Sequence, residues 1–365
     1  MNESRGDPGR WGGVEVGPGE AREVRITVSE SYSGVDVRIP VYVWRGREEG
    51  PTVFVSGAVH GDEINGTGAI RSIIVDRPFE IDRGTLLLCP VVNILGFERH
   101  SRYMPDRRDL NRSFPGTTSG SLTSRMADAF FTGVVARCEY GIDLHTAALR
   151  RTNFPNVRAD MKDDRVADLA RAFGAELIVH GRGPRGSLRR AACASGCATI
   201  ILEAGEVWKV ESGVVEYAVR GIRNCLIRLG MVRGRAEKPP YLVETDGTTW
   251  IRAMNGGFLR FHVAPGAIVE QGDAIATNAS LTGEEQEVIR AARNGIVLGM
   301  TTLPSVAPGD PVCHLAFVKS GPLHRMERAV ERLDDAHLYE RIREDLARSY
   351  YLREAGPDPD REPAI

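Results

Sequence analysis

The chain has 365 residues, 42% of them apolar and 26% charged, with a formal net charge of −2. That profile fits an ordinary globular protein with room for two cores, and it excludes a basic nucleic-acid-binding surface. No apolar run reaches the roughly 18 residues of a membrane span, and the opening segment MNESRGDPGRWGG lacks the apolar stretch of a secretory signal.

The six cysteines are scattered, and three residues separate the nearest pair, Cys193 and Cys197. This is neither a CxxC redox pair nor a zinc ribbon, and it suits buried thiols in a reducing cytoplasm. Lysine occurs only as Lys162, Lys209, Lys238 and Lys319. GC-rich codon usage explains the arginine bias more simply than a demand for guanidinium forks does.

In chain order, residues 1–20 read as a disordered lead-in. Residues 22–46 alternate apolar and polar positions around SYSG and predict a hairpin. From 51 to about 230 the runs TVFVSGA, TLLLCPVV, YGIDLHT, AELIVHG and ATIILEA predict strands, and the patterns near 64–75, 121–138, 163–174 and 211–229 predict helices. Alternating strands and helices point to an α/β domain over 21–232, a mixed, largely parallel sheet with helices on both faces. Working residues of such sheets gather at strand ends. Residues 231–240 (MVRGRAEKPP) read as a linker. Short Gly- and Pro-punctuated strands then predict a small all-β sandwich or barrel over 241–320. Residues 321–365 read as a charged helical tail with a loose end, PDPDREPAI. No internal repeat is visible.

Four segments carry residues suited to chemistry. His60 and Glu63 follow the strand TVFVSGA, three apart across a strand-to-helix turn, so imidazole and carboxylate can converge on one zinc ion. On this pair alone the better reading is a solvated turn with Glu63 near a helix N-terminus. His145 ends a second apolar strand, where a histidine is often structural. Two imidazoles and one carboxylate would leave a fourth zinc position open, the catalytic arrangement. Asp143 serves equally as a group orienting His145 or as a polar strand residue.

The loop 102–116 has four arginines in its first eleven residues: Arg102, Arg107, Arg108 and Arg112. It reads either as a basic surface loop, the better reading for Arg107, or as an anion clamp in which Asn111 and Arg112 grip a carboxylate. Glu203 ends the apolar strand ATIILEA, a costly place for a carboxylate without a task. It suits a general base acting on zinc-activated water. Glu206 is its rival, although a solvated or arginine-paired role fits it better.

Taken together, GAVHGDE, SRYMPDRRDLNRSFPG, IDLHT and LEAGE resemble the succinylglutamate desuccinylase/aspartoacylase family, a branch of the zinc carboxypeptidase group, across roughly residues 50–320. The resemblance implies one zinc per chain, held by His60, Glu63 and His145, with Glu203 as general acid/base. It implies Asn111 and Arg112 as the carboxylate-binding pair, Arg102 as the arginine that polarises the scissile carbonyl, and Arg108 and Asp109 as loop organisers. It also implies a C-terminal β domain that narrows access to the zinc. The expected activity is hydrolysis of the amide bond of a small N-acyl amino acid. The expected setting is the cytoplasm, with no membrane or nucleic-acid partner and with a homo-oligomer only as the base-rate expectation.

Three alternatives remain at this stage. A carboxypeptidase acting on a short peptide or peptidoglycan fragment would use the same residues. The 240–320 region resembles biotinyl carriers, but no lysine lies between Lys238 and Lys319 to accept biotin or lipoate. A metal-free binding protein on an enzyme fold would be expected to have lost one of His60, Glu63, His145 or Glu203.

Overall fold

A computed structural model describes residues 9–30, 34, 36–283, 286–318, 326–334, 336–348 and 350. The chain divides into two units, one made of residues up to 148 together with 155–244, the other of 149–154 together with residues from 245 onward.

The first unit starts with a small hairpin, β1 (Arg10–Trp11) and β2 (Val14–Glu15), whose Trp11 and Val16 are buried. The disorder expected over 1–20 therefore does not hold for 9–20. An indole stacked under the Arg137 guanidinium anchors this segment. β3 (Ala21–Glu30) and β4 (Asp36–Arg45) pair antiparallel as the alternation predicts, while most of the SYSG turn lies outside the described residues.

The remaining strands are β5 (Glu48–Gly57), β6 (Arg83–Cys89), β7 (Tyr140–His145), β8 (Arg151–Ala159), β9 (Leu177–His180), β10 (Ala198–Gly205) and β11 (Val243–Thr245). Their order in the sheet is β3-β4-β6-β5-β7-β10-β8, with β9 on β8 and β11 on β9. The pairs β5/β6, β5/β7, β7/β10 and β8/β9 are parallel. Strand β8 is absent from the sequence prediction, because Pro155 and five polar residues interrupt RTNFPNVRA.

The helices are α1 (Asn65–Asp76), the single turn α2 (Ile94–Phe97), α3 (Leu122–Gly133), α4 (Asp164–Phe173), the unpredicted α5 (Leu188–Ala194) and α6 (Ser212–Arg228). Side-chain caps start four of them: Asn93 for α2, Ser121 for α3, Asp163 for α4 and Ser187 for α5. The strand register decides which face each helix covers. Phe54 on β5 lies beside Gly141 on β7 and meets Phe130 of α3 edge-on, so the odd positions of β7 face α3 and α5. Leu144, an even position, lies against Gly66 of α1, and α1 packs on α6. Asp143 and His145 therefore point toward the α3/α5 face.

The second unit is all-β apart from its end. One sheet contains β12 (Thr248–Arg252), β19 (Pro311–Phe317) and β17 (Gly295–Thr301), with β14 (Ile268–Val269) and Arg151–Asn153 also paired to β17. The other runs β16 (Gln286–Arg290), β15 (Ala274–Ala279), β13 (Gly257–Phe261) and β18 (Ser305–Val306). Leu259, Phe261, Ile275, Ile289, Val312 and Leu315 form the core of this sandwich. A helix α7 (Leu338–Ala347) follows within the expected tail, and the PDPDREPAI end lies outside the described residues. Among the described residues no helix is long and apolar enough to cross a membrane.

Candidate active site

The parallel register sets His145 and Glu203 side by side near the carboxyl ends of β7 and β10, and β5 ends at Gly57 beside Leu144. Neighbouring strands are about 4.8 Å apart, so the two side chains share one face of the sheet end. The loop after β5 carries His60 and Glu63. It lies so close to α2 that a Cβ on Gly61 would sit 2.1 Å from the Gly96 carbonyl carbon, which leaves glycine as the residue that fits. Gly186 is its counterpart beside the arginine-rich loop. Its φ is +78°, and a Cβ there would meet the Arg112 carbonyl oxygen at 2.2 Å.

His60, Glu63 and His145 are all buried, and one donor atom from each lies within 4.8 Å of the others. Nδ1 of His60 is 2.7 Å from one oxygen of Glu63, and Nδ1 of His145 is 2.8 Å from the other. Each ring is backed on its far side by a carboxylate. Nε2 of His145 lies 2.7 Å from Asp143, and Nε2 of His60 lies 3.3 Å from Asp109. Each Nε2 thus faces an aspartate and each Nδ1 faces Glu63, so with a cation bound the aspartates would hold the Nε2 protons and leave both Nδ1 atoms as ligands, the backing that metal-binding histidines have. Ser56 donates its hydroxyl to Asp143 at 2.8 Å, and the Thr146 amide donates to Glu63 at 3.1 Å. The donor set fits one divalent cation such as zinc with a coordination position to spare.

The electrostatics follow from this crowding. Burial pushes the Glu63 carboxyl up, but His60 and His145 outweigh it and hold the group far below the usual carboxylate range. Burial opposes charge on both histidines. Glu63 nevertheless raises His60 with help from Asp109, and Asp143 and Glu63 raise His145 well above its ordinary value. Asp109 is likewise held far below the usual range, against burial, by His60 and Arg102. Arg102 donates to Glu63 at 3.1 Å and to Asp109 at 3.0 Å.

Asn111 and Arg112, the pair expected to grip a carboxylate, lie on the same loop. Asp109 caps the short 3-10 turn Leu110–Arg112 through the Asn111 amide. The side-chain oxygen of Asn111 accepts the Leu188 amide at the start of α5, which leaves its NH2 for another acceptor. Arg112 is exposed, donates to the Asn111 carbonyl at 2.7 Å and has no ion pair among the described residues. Glu203 lies 3.6 Å from the Arg158 guanidinium.

Two residues named from the sequence stand outside this cluster. Arg108 is exposed beside Ser121, and Glu206 is paired with Lys209 at 3.0 Å rather than with an arginine. Ser56, Arg158 and the backing role of Asp109 are absent from the sequence reading. A serine inside the apolar run TVFVSGA was the one visible sign of the first, and Arg158 sits on the unpredicted strand.

A family model of the succinylglutamate desuccinylase/aspartoacylase catalytic domain matches residues 49–229. Over 307 residues the chain is 30% identical to the N-alpha-acetyl-L-2,4-diaminobutyric acid deacetylase of Halomonas elongata, covering 80% of this chain and 89% of that one. Among solved structures, the product-bound ectoine utilization protein EutE (DoeB) of Ruegeria pomeroyi shares the fold at TM-score 0.71 and 24% identity, over 82% of this chain and 95% of that chain. A succinylglutamate desuccinylase/aspartoacylase of Rhodobacter sphaeroides does so at TM-score 0.70 and 24% identity, over 82% and 96%. The chain belongs to the succinylglutamate desuccinylase/aspartoacylase family.

Proposed function

We propose that this protein is a zinc-dependent deacylase that hydrolyses the amide bond of a small N-acyl amino acid. The observation that carries the reading is the paired backing of the two imidazoles. Both present Nδ1 to one buried carboxylate, and each is held at Nε2 by an aspartate. A purely structural histidine cluster has no need of two further acids, the buried Asp143 and the half-buried Asp109.

When bound, zinc supplies Lewis-acid polarisation of the acyl carbonyl and activation of a water molecule. His60, Glu63 and His145 hold the ion. Glu203, beside His145, accepts the proton of the attacking water and returns it to the leaving nitrogen. Arg102, already turned toward Glu63, donates to the oxygen on which charge develops. Arg112 and the Asn111 amide bind the substrate carboxylate, which fixes the orientation of the scissile bond.

A small acylated amino acid is favoured over a peptide by the relative at 30% identity, which is named for removing an acetyl group from a diamino acid. The test is amine release from N-acetyl and N-succinyl amino acids and from short peptides, with the purified protein before and after chelation. Chelator-sensitive release from an N-acyl amino acid is expected. Faster turnover of peptides than of every N-acyl amino acid would favour a carboxypeptidase, and release that survives complete metal removal would refute the mechanism.

A further inference from the structure

Trp208 lies in the loop after β10, at the end of the sheet that carries the metal-ligand cluster. The residue is 55% exposed and its φ is +59°, a left-handed conformation that a bulky residue rarely adopts. The surrounding structure over-determines that conformation. The Trp208 amide donates to the Asp62 carbonyl at 2.9 Å, inside the His60–Glu63 turn. The indole Nε1–H donates to the His100 carbonyl at 3.0 Å, two residues before Arg102. Downstream, Glu211 accepts from the Asn65 side chain at 2.7 Å and from the Glu206 amide at 2.9 Å, and its own amide donates to Asn65 at 2.8 Å. Two other non-glycine residues with positive φ, Ala58 and His100, lie in the segments this loop touches. Both donors of the tryptophan are spent on holding its apolar ring still, in water, beside the metal-ligand loop.

The ring's place relative to the clamp gives it a task. Asn111 is tied to the start of α5, on the α3/α5 face of the sheet. The Trp208 loop is latched to Asn65, the first residue of α1, on the opposite face. The strand ends that carry the metal-ligand cluster lie between them. A substrate whose carboxylate is gripped by Asn111 and Arg112 therefore directs its acyl group toward Trp208.

The charges near the ring are negative. Asp62 is buried with one carboxylate oxygen lacking a hydrogen-bond partner, and Glu206 and Glu211 flank the loop. Of the neighbouring cations, Lys209 is paired with Glu206, and Arg102, paired with Glu63 and Asp109, is the donor assigned to the scissile carbonyl and not to the far end of the acyl group. A second carboxylate at the far end of the acyl group would meet repulsion here.

We propose that Trp208 is a specificity-determining wall for the acyl group, and that this group is a short uncharged alkanoyl chain rather than a dicarboxylic one such as succinyl. The proposal rests on the deacylase reading above. The test compares the N-acetyl, N-butyryl and N-succinyl derivatives of one amino acid, using the full-length zinc-loaded chain and its Trp208→Phe and Trp208→Gly variants. Glycine accepts the left-handed backbone without strain, so W208G removes the ring and leaves the loop conformation accessible.

The wild type is expected to favour both alkanoyl substrates over the succinyl one by at least about tenfold, and W208G to change its butyryl-to-acetyl ratio of kcat/KM by at least about fivefold, mainly through KM. W208F keeps a ring and should stay within about twofold of the wild-type ratio. Metal content and pH profile should be the same in all three proteins. A W208G ratio equal to wild type, a wild-type preference for succinyl, or a uniform kcat loss accompanied by metal loss would overturn the proposal.

If the wild type released amine from no derivative, the deacylase reading would fail separately. Tryptophan emission on adding acetate and butyrate would then decide. A shift in wild type that is absent from W208F supports the acyl wall, and no shift refutes it.

Discussion

Replacing Asp143 with Asn tests whether the site is built to present Nδ1 of His145. Asp143 is fully buried, with one oxygen 2.7 Å from Nε2 of His145 and the other accepting the Ser56 hydroxyl at 2.8 Å. The isosteric amide removes the charge that holds the Nε2 proton. It also offers an NH2 group that can turn toward Nε2, which would move the imidazole proton to Nδ1 and block coordination. The charge-assisted bond is worth about 1.5–3 kcal/mol, which at about 1.4 kcal/mol per decade is roughly 10- to 100-fold in metal affinity. Ser56→Ala is the internal control. It removes one neutral bond worth about 1 kcal/mol, or about fivefold in affinity. The assay is competition for zinc against a chelator of known affinity, with circular dichroism to confirm that each variant is folded. An Asp143→Asn protein that binds zinc within about twofold of wild type would refute the claim that the carboxylate fixes the tautomer.

Glu203→Gln should keep its metal and lose about 10²- to 10⁴-fold in kcat; metal analysis beside single-turnover kinetics checks this, and substantial residual turnover would remove Glu203 from the proton-transfer role. Arg112→Ala should raise KM for an N-acyl amino acid by roughly 10- to 100-fold with a smaller change in kcat; unchanged KM in steady-state kinetics would place the carboxylate elsewhere. Away from the site, Glu176 is fully buried, and burial raises its carboxyl above the usual range despite the Tyr217 hydroxyl and Arg220 nearby. A raised folded-state value means that the folded chain keeps a proton the unfolded chain releases, so this contribution is complete below the ordinary glutamate range and fades as pH rises. Thermal melts of Glu176→Gln should gain on wild type as pH rises above the ordinary glutamate range; a wild type that gains on the variant over that rise would contradict the assignment.

Much of the α/β unit was legible because its strands are near-continuous apolar runs ending in polar residues. TVFVSGA, YGIDLHT and ATIILEA announce β5, β7 and β10, and the helices between them follow the expected spacing. Strand β8 was illegible for a physical reason. Its partners on both sides hold RTNFPNVRA extended despite Pro155, and that support is tertiary, not local. The seven-residue α5 offers too few turns for a periodic signal.

Residue types and spacing made His60, Glu63 and His145 candidates, and the resemblance carried by the four motifs together joined them into one set, whereas the aspartates behind the rings needed register. Asp143 faces Ser56 because β5 and β7 align that pair, and Asp109 reaches His60 through a capped 3-10 turn. Trp11 and Val16 show the limit of composition: a Gly-rich opening read as loose, yet the indole finds an arginine to cover it.

The central claim is best tested by metal analysis of the purified full-length protein beside His145→Ala, each dialysed in zinc and then in buffer. The account predicts about one zinc ion per chain in wild type and less than about a tenth of that in the variant. A wild type that retains no metal, or a variant that retains as much as wild type, would contradict it.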